Sequence, residues 1–188
     1  MFKGAFMVVS ALSLEILFED RKAKQYITDF KFTPDGEMVA IASFDGKVYI
    51  HRSSNYALVR TLSMPSKGCA VTRIDFSLDL NWATLKIRVA TSLDELFHFT
   101  ASNGEVITAP LAVRDVVWAS ATCTYTWMSQ GIWRPMTDGI NVLAINLHPS
   151  GKIAAVSYQD GGVRLYKFPC QTSQVRLSSS HSISKLYQ

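Results

Sequence analysis

Residues 27–51 read ITDFKFTPDGEMVAIASFDGKVYIH, and residues 140–166 read INVLAINLHPSGKIAAVSYQDGGVRLY. The two stretches share the same order of short apolar runs and turns, and in both the Asp-Gly pair begins eleven residues after the proline. Proline presets φ in a turn, glycine accepts positive φ, and Asp-Gly is a strong hairpin signal. The turn residues of the first copy are Pro34, Asp35, Gly36, Asp45 and Gly46, and those of the second are Pro149, Gly151, Asp160 and Gly161. The pattern predicts two antiparallel meanders.

Between the turns of the first copy, Met38 to Ala42 are all apolar. A short, continuous apolar run bounded by turn signals is typical of a strand that is buried on both faces. Lys47 to His51 then alternate, so that Val48 and Ile50 share one face. We therefore expect a central strand flanked by two half-buried strands.

A third, less regular copy lies between the other two. Residues 71–76, VTRIDF, match the first strand, and Phe76 follows Phe32 by 44 residues. Leu80 stands where the turn glycine is expected, so we expect a different or strained turn there, and we place the extra residues of this copy at 84–88 as a bulge or longer loop.

A spacing near 44 residues is the period of propeller blades. One blade cannot bury both of its faces, so several blades must pack together. We predict an all-β fold, a partial β-propeller with about three recognisable repeats and half-blades at the ends. The expected boundaries are about 25–62, 69–110 and 138–170, with an inserted aromatic hairpin at about 111–137.

The expected insertion is rich in large aromatic side chains, namely Trp118, Tyr125, Trp127 and Trp133. Two interpretations stay open. The residues pack as a core between blades, or they form an exposed platform for a protein partner, because Trp and Tyr are favoured anchors of protein interfaces.

The net charge is +4, from 19 basic and 15 acidic residues. The densest basic group, Arg21, Lys22 and Lys24, is interpreted as a solvated turn, with a contact for an acidic partner as the alternative. The chain has no long run of like charges, so we expect no nucleic-acid partner. Residues 5–14 are interpreted as strand, turn and strand rather than a signal peptide, and no apolar stretch is long enough to span a membrane, so we expect no membrane contact.

Cysteine chemistry gives the sharpest enzyme hypothesis. The thiols are Cys69, Cys123 and Cys170, and the histidines that could act as bases are His51, His98, His148 and His181. No local signature pairs them, so we expect buried structural thiols. The metal-binding spacings of Cys and His are absent, and we expect no metal and no cofactor.

The repeats resemble WD repeats. That family usually ends the third strand with a tryptophan, where this chain has His51 and Tyr166. The resemblance implies a buried hydrogen-bonded set in which Ser43 with Asp45, and Ser157 with Asp160, take part together with those terminal side chains.

A narrower resemblance rests on four stretches in a fixed order: 114–123 RDVVWASATC, 131–133 GIW, 138–141 DGIN and 166–170 YKFPC. This succession resembles the second propeller of the echinoderm microtubule-associated protein-like family. The resemblance implies a non-catalytic, protein-binding scaffold in the cytoplasm and cytoskeleton, with tubulin or microtubules as the partner. The excess of basic over acidic residues agrees with that expectation, because microtubule surfaces are acidic.

Two alternatives stay open. The chain is a structural propeller segment without binding activity of its own, completed by other blades. Its open strand edges then predict self-association, because unpaired edges pair readily with another chain. The third and weakest hypothesis is a cysteine-dependent enzyme.

Overall fold

The structure is a computed structural model that describes residues 4–133 and 141–172, together with the backbone of 181–182. The described chain forms two compact units, Met1–Ala119 and Ser120–Gln188. Part of the predicted insertion, 134–137, and most of the DGIN stretch, 138–140, lie outside the described residues, as does the side chain of His181.

Among its described residues, the first unit forms three antiparallel sheets and one short helix. A two-stranded sheet pairs β1 (Phe6–Val9) with β2 (Ile16–Asp20). A four-stranded sheet has the order β3 (Ile27–Phe32), β4 (Met38–Ser43), β5 (Lys47–Arg52) and β6 (Leu58–Ser63). A three-stranded sheet has the order β7 (Val71–Phe76), β8 (Lys86–Thr91) and β9 (Leu96–Thr100), and α1 (Leu111–Arg114) follows.

The second unit contains a 3-10 helix, Trp127–Ile132, and one four-stranded sheet. The order of this sheet is β10 (Val142–Leu147), β11 (Ile153–Tyr158), β12 (Gly162–Lys167) and β13 (His181–Ser182). Strands that follow one another within a sheet always pair antiparallel, so each sheet is a meander. The all-β prediction is confirmed.

The meanders share a bulge in their first strand. The register slips by one residue between Ile27 and Asp29, and again between Val71 and Arg73 and between Val142 and Ala144. A bulge bends a strand and increases its twist. Its recurrence at the same place shows that the irregular middle copy follows the same plan as the other two.

The turn after the first strand differs among the copies. Gly36 has φ 73° and donates to the Thr33 carbonyl at 2.9 Å, and Gly151 has φ 67° and donates to His148 at 2.8 Å. In the middle copy the loop is eight residues long, 78–85, whereas the others have four residues, 34–37 and 149–152. The Asp79 carboxylate, which accepts from the Asn81 amide at 2.9 Å and the Thr84 hydroxyl at 2.5 Å, organises this longer loop.

The placement of the extra residues at 84–88 is therefore wrong in part. A longer loop is present, but it ends at Leu85, and Lys86 to Arg88 already belong to β8. Leu80 does not adopt positive φ. The turn here is closed by hydrogen bonds to the Asp79 side chain and does not need a glycine.

The second turn follows one geometry in the three copies. Gly46 and Gly161 have φ of 78° and 76°, and Asp94 takes the equivalent position with φ 60°. Each donates its amide to the carbonyl three residues earlier, at 3.0–3.3 Å. Aspartate enters this left-handed region more readily than most residues, which is why the middle copy turns without glycine.

The expected hairpin does not form within residues 111–133. That segment contains α1 and the 3-10 helix instead. Pro110, with φ −59°, starts the first helical turn, and Thr126 and Ser129 cap the second through reciprocal side-chain-to-backbone bonds. Local capping therefore outweighs the aromatic pattern that suggested strands.

The core of the first unit lies between the β3–β6 and β7–β9 sheets. Every residue of β4 is buried, as the apolar run predicted. The Asp29 carboxylate joins the two sheets by accepting the Ile74 amide at 3.1 Å. The cluster between them includes, among its fully buried members, Val48, Ile50, Ile74, Ile87 and Phe99.

Candidate functional site

The predicted aromatic residues fall into both units. Trp118 belongs to the first unit, and Tyr125, Trp127 and Trp133 belong to the second. The stretch that the sequence treated as one segment therefore divides at Ala119, and its two parts are described separately.

In the second unit, Tyr125 and Trp133 stack with ring centroids 4.7 Å apart and planes inclined by 14°. The Trp133 indole N–H donates to the Thr124 carbonyl at 3.4 Å. Trp127 starts the 3-10 helix between them and is 52% exposed. These three aromatic side chains are therefore held by the same short segment, and Trp127 is the one most open to solvent.

The 3-10 helix is fixed to the end of β12. The Gly131 amide donates to the Cys170 carbonyl at 2.8 Å, and the Cys170 amide donates to Met128 at 2.7 Å. A Cβ at Gly131 would lie 2.2 Å from the Thr172 carbonyl oxygen, so only glycine fits there. The Gly131–Trp133 and Tyr166–Cys170 stretches, which the resemblance placed 33 residues apart, thus contact each other directly.

Two tyrosines complete this contact. The Tyr158 hydroxyl donates to the Ile132 carbonyl at 2.7 Å and lies 2.6 Å from the Tyr166 hydroxyl. All three residues are buried. Burial raises the pKa of Tyr158 well above its usual range, so this hydroxyl stays protonated at neutral pH.

In the first unit, Trp118 packs on a buried ion pair. The Arg88 guanidinium carbon lies 4.5 Å from the centre of the indole ring, and its Nε donates to Asp75 at 3.0 Å. His98 lies on the same ring, 5.7 Å between centroids. Burial, together with the Arg88 charge, lowers the pKa of His98 to about 4. Trp118 is thus half-buried against the Arg88 guanidinium and the His98 ring of its own unit.

The turn aspartates have structural partners. Asp45 Oδ2 accepts the Lys24 amide and the Tyr49 hydroxyl, both at 2.8 Å. Asp160 accepts the Gly162 amide at 2.8 Å and the Arg164 guanidinium at 2.9 Å. In both copies the side chain four residues after the aspartate binds it.

The hydrogen-bonded set implied by the WD resemblance is therefore wrong in its terminal members. His51 Nδ1 pairs with the Tyr56 carbonyl at 2.9 Å, and the Tyr166 hydroxyl pairs with Tyr158. Tyr49 and Arg164 occupy the places expected for them, because their side chains reach the turn from the middle of the third strand. Ser43 does take part, accepting the Asp45 amide at 3.2 Å.

The cysteines are buried and free of disulfides. The thiols of Cys69 and Cys170 contact the backbone carbonyls of Ser66 at 3.1 Å and Thr172 at 3.5 Å. Burial raises the pKa of both thiols, which disfavours the nucleophilic thiolate. In the part of the chain that the structure describes, no cluster of His, Cys, Asp or Glu could hold a metal ion. Among the same residues, no helix is long and apolar enough to cross a membrane.

Sequence reasoning missed a basic cleft in the first unit. It is lined by Lys24 from the segment before β3, Lys47 from the start of β5 and Lys67 from the loop after β6. No periodicity or local spacing links these residues. The pairing of β3 with β4, β4 with β5 and β5 with β6 brings them together, with the Lys24 amide bound to Asp45. Of the basic group at 21–24, Arg21 binds Glu19 and Lys22 lies 3.8 Å from Asp20, which leaves Lys24 for the cleft.

Comparison with known proteins agrees with this architecture. The model of the family described as the echinoderm microtubule-associated protein second beta-propeller matches residues 1–184. Echinoderm microtubule-associated protein-like 2 of Homo sapiens is 25% identical over 170 residues, which cover 89% of this chain and 25% of that protein. The 77 kDa echinoderm microtubule-associated protein of Strongylocentrotus purpuratus is 26% identical over 173 residues, covering 90% of this chain and 24% of that protein.

A ciliary WD repeat-containing protein of Euplotoides octocarinatus, ctxp80, is 24% identical over 155 residues, which cover 82% of this chain and 21% of that protein. The chain thus spans about a quarter or less of the length of these relatives. Its meanders, its shared bulges and the family match over 184 of its 188 residues lead to one assignment. The chain is part of a WD-repeat β-propeller and belongs to the echinoderm microtubule-associated protein second β-propeller family.

Proposed function

We propose that this chain is a non-catalytic propeller scaffold that binds tubulin or microtubules and acts in the cytoplasmic cytoskeleton. The observation that carries the proposal is the alignment of relatives named microtubule-associated with about nine-tenths of the chain. Because the chain is a small part of those relatives, attachment to microtubules is a property to be measured on the chain itself.

The exposed aromatic segment supports a binding role. Trp127 is exposed at the start of a capped 3-10 helix, and Tyr125 and Trp133 stack on each other in the same segment. Rigid aromatic side chains bind partners at a low cost in conformational entropy, and they dominate many protein interfaces. We assign Trp127 as the first candidate contact, with Tyr125 and Trp133 as further candidates in the same segment. Trp118 is a weaker candidate because it packs on Arg88.

Co-sedimentation with polymerised tubulin tests the proposal. We expect the chain to enter the pellet in a saturable manner, and we expect Trp127→Ala to reduce the bound fraction. Phe30→Ala serves as a control, since Phe30 on β3 of the first unit is an aromatic residue exposed to a similar degree. A chain that stays in the supernatant at low ionic strength would contradict direct binding.

The second candidate is a structural segment that other blades complete. One observation favours it: β1 and β2 expose apolar side chains, among them Met7, Ile16 and Leu17. Size-exclusion chromatography with light scattering separates the two. A monodisperse monomer that pellets with microtubules supports the binding scaffold, whereas self-association without pelleting supports the structural segment.

The cysteine-dependent enzyme is the least supported function. A nucleophilic cysteine needs a lowered pKa or a base within reach. Burial instead raises the pKa of the Cys69 and Cys170 thiols. Alkylation with iodoacetamide at neutral pH checks this, and we expect the three thiols to react more slowly than a free thiol.

A further inference from the structure

The basic cleft lies where three loops of the first unit meet. They are residues 24–25 before β3, the β4–β5 turn at 44–46 with Lys47 at the start of β5, and residues 64–69 after Ser63 at the end of β6. The cleft has a volume of about 570 Å³. It is a surface groove open to solvent rather than an enclosed cavity.

Backbone contacts fix the walls of the cleft. The Met64 amide donates to the Gly46 carbonyl at 3.1 Å, and the Lys24 amide donates to Asp45 at 2.8 Å. Gly46 is so close to the Cys69 carbonyl that a Cβ on it would lie 2.7 Å from that oxygen. The three loops are therefore tied to one another, and the cleft is preformed.

The charge of the cleft is unbalanced. Within the residues that the structure describes, the ammonium groups of Lys24, Lys47 and Lys67 have no ion pair or hydrogen bond. The carboxylate that lines the cleft, Asp45, already accepts two hydrogen bonds through Oδ2, and Glu95 at the margin accepts from the Ser66 hydroxyl at 2.8 Å. The three lysines thus outnumber the nearby carboxylates of Asp45 and Glu95, and such a concave basic surface attracts anions.

One wall of the cleft is aromatic. Phe44 is 43% exposed and stacks on Tyr26 at 4.6 Å, while Met64 forms part of the floor. A small inorganic anion would contact neither this wall nor all three lysines, because it fills only a fraction of the volume. An occupant with several carboxylates and an apolar side chain matches the whole surface.

We propose that this cleft binds an acidic peptide segment, whose carboxylates pair with Lys24, Lys47 and Lys67 while an adjacent apolar side chain packs on Phe44. The inference rests on the proposed function in one respect: an acidic, exposed segment of the microtubule surface is the expected source of the peptide. The cleft lies in the first unit, so it is a surface additional to the aromatic segment at 125–133.

The binding test uses the full chain and a fluorescein-labelled oligoglutamate peptide that carries one leucine, followed by fluorescence anisotropy. Lys24→Glu combined with Lys67→Glu reverses two exposed charges of the cleft. Lys152→Glu combined with Lys167→Glu is the matched control, because it changes the net charge equally at exposed positions of the second unit. We expect affinity to fall about tenfold in the cleft variant, from two exposed ion pairs, and to change little in the control.

A second measurement needs no variant. Amine acetylation of the wild-type chain, read by mass spectrometry, should be slowed at Lys24 and Lys67 by the oligoglutamate peptide and unchanged at Lys152 and Lys167. Equal losses in the two charge variants, or equal protection of all four lysines, would overturn the proposal, because binding would then follow net charge. Tighter, cleft-dependent binding of a single-stranded oligonucleotide would also overturn it in favour of a nucleic-acid site.

The two proposals fail in different ways. If the chain pellets with microtubules and the cleft variant pellets equally well, the cleft is not the contact and the proposed function stands. If the oligoglutamate peptide binds through the cleft but the chain does not pellet, the acidic-peptide site stands and microtubule binding does not.

Discussion

The β3–β6 sheet and the β10–β13 sheet follow the same plan but bury their strands differently. Both use a Pro-x-Gly turn, an Asp-Gly turn and a bulged first strand. In the first sheet, every residue of β4 is buried. In the second sheet, buried and more exposed residues alternate along β11, and Ile153 is exposed. Turns and register follow from local sequence, whereas burial depends on what packs on each face.

The elements that pack on the faces of the two sheets explain the contrast. Within the first unit, the β7–β9 sheet packs on β3–β6 and supplies a broad apolar face. Within the second unit, the 3-10 segment packs on the β10–β12 strands through Ile132, with Trp133 at its margin. The 3-10 segment covers the face of β11 that carries Ala154 and Val156. The opposite face, with Ile153 and Leu165, corresponds to the one that β7–β9 covers in the first sheet; among the described residues it has no such cluster on it, so its apolar side chains stay in contact with water.

The largest expected effect compares two equivalent positions. Ile50 faces Ala40 across the first sheet and is fully buried, while Leu165 faces Ala155 in the other and is 41% exposed. Ile50→Ala should lower the free energy of unfolding by about 2–5 kcal/mol, since it leaves a cavity. Leu165→Ala should cost less than about 1 kcal/mol. Urea unfolding followed by circular dichroism measures both free energies of unfolding. Equal losses of stability in the two variants would contradict the difference in burial between the two positions.

A second substitution tests the cover of the second sheet. Gly131→Ala places a Cβ against the backbone of Thr172 and should cost about 1–3 kcal/mol by overpacking. Gly162→Ala is the control in the same unit, because its Cβ would meet side chains rather than backbone, Asp160 at 2.8 Å and Arg164 at 3.4 Å. If Gly131→Ala unfolds at the same denaturant concentration as the control, packing of the 3-10 helix does not stabilise the sheet.

Acid should weaken the first unit through His98. Its pKa is lowered from 6.5 to about 4 in the folded chain, so the unfolded chain binds the proton more tightly. The contribution of His98 to stability is therefore complete above about pH 6.5 and is lost as the pH falls toward 4. After allowance for solvent screening the loss is roughly 1 kcal/mol. The difference in unfolding free energy between wild type and His98→Gln, measured across this range, should shrink as the pH falls; a constant difference would contradict the prediction.

The smallest expected effect concerns the second turn. Asp94 holds positive φ where the other copies have glycine, so Asp94→Gly should raise the free energy of unfolding by about 0.5 kcal/mol, the relief of backbone strain less the added freedom of the unfolded chain. The reverse change, Gly46→Asp, should be destabilising because a Cβ there would lie 2.7 Å from the Cys69 carbonyl oxygen. Thermal unfolding ranks the two variants, and the opposite order would mean that the turns are not equivalent.

Much of the fold follows from the sequence, whereas the site follows from it only in part. The Pro-x-Gly and Asp-Gly turns and the apolar run of β4 have local causes, so their pattern predicts the meanders. The predicted hairpin at 111–137 was wrong within the described residues because capping at Thr126 set a helical turn. The predicted contact of Asp45 with His51 was wrong, because the Tyr49 hydroxyl donates to the Asp45 carboxylate instead.

By itself the sequence determined the antiparallel meanders, the placement of their turns and the family to which they belong, because backbone preferences and apolar alternation act over a few residues. Only the tertiary structure decided which faces are buried, how Gly131 fits against Thr172, and how Lys24, Lys47 and Lys67 come to line one cleft. Those features depend on contacts between residues far apart in the chain, and no local spacing encodes such contacts.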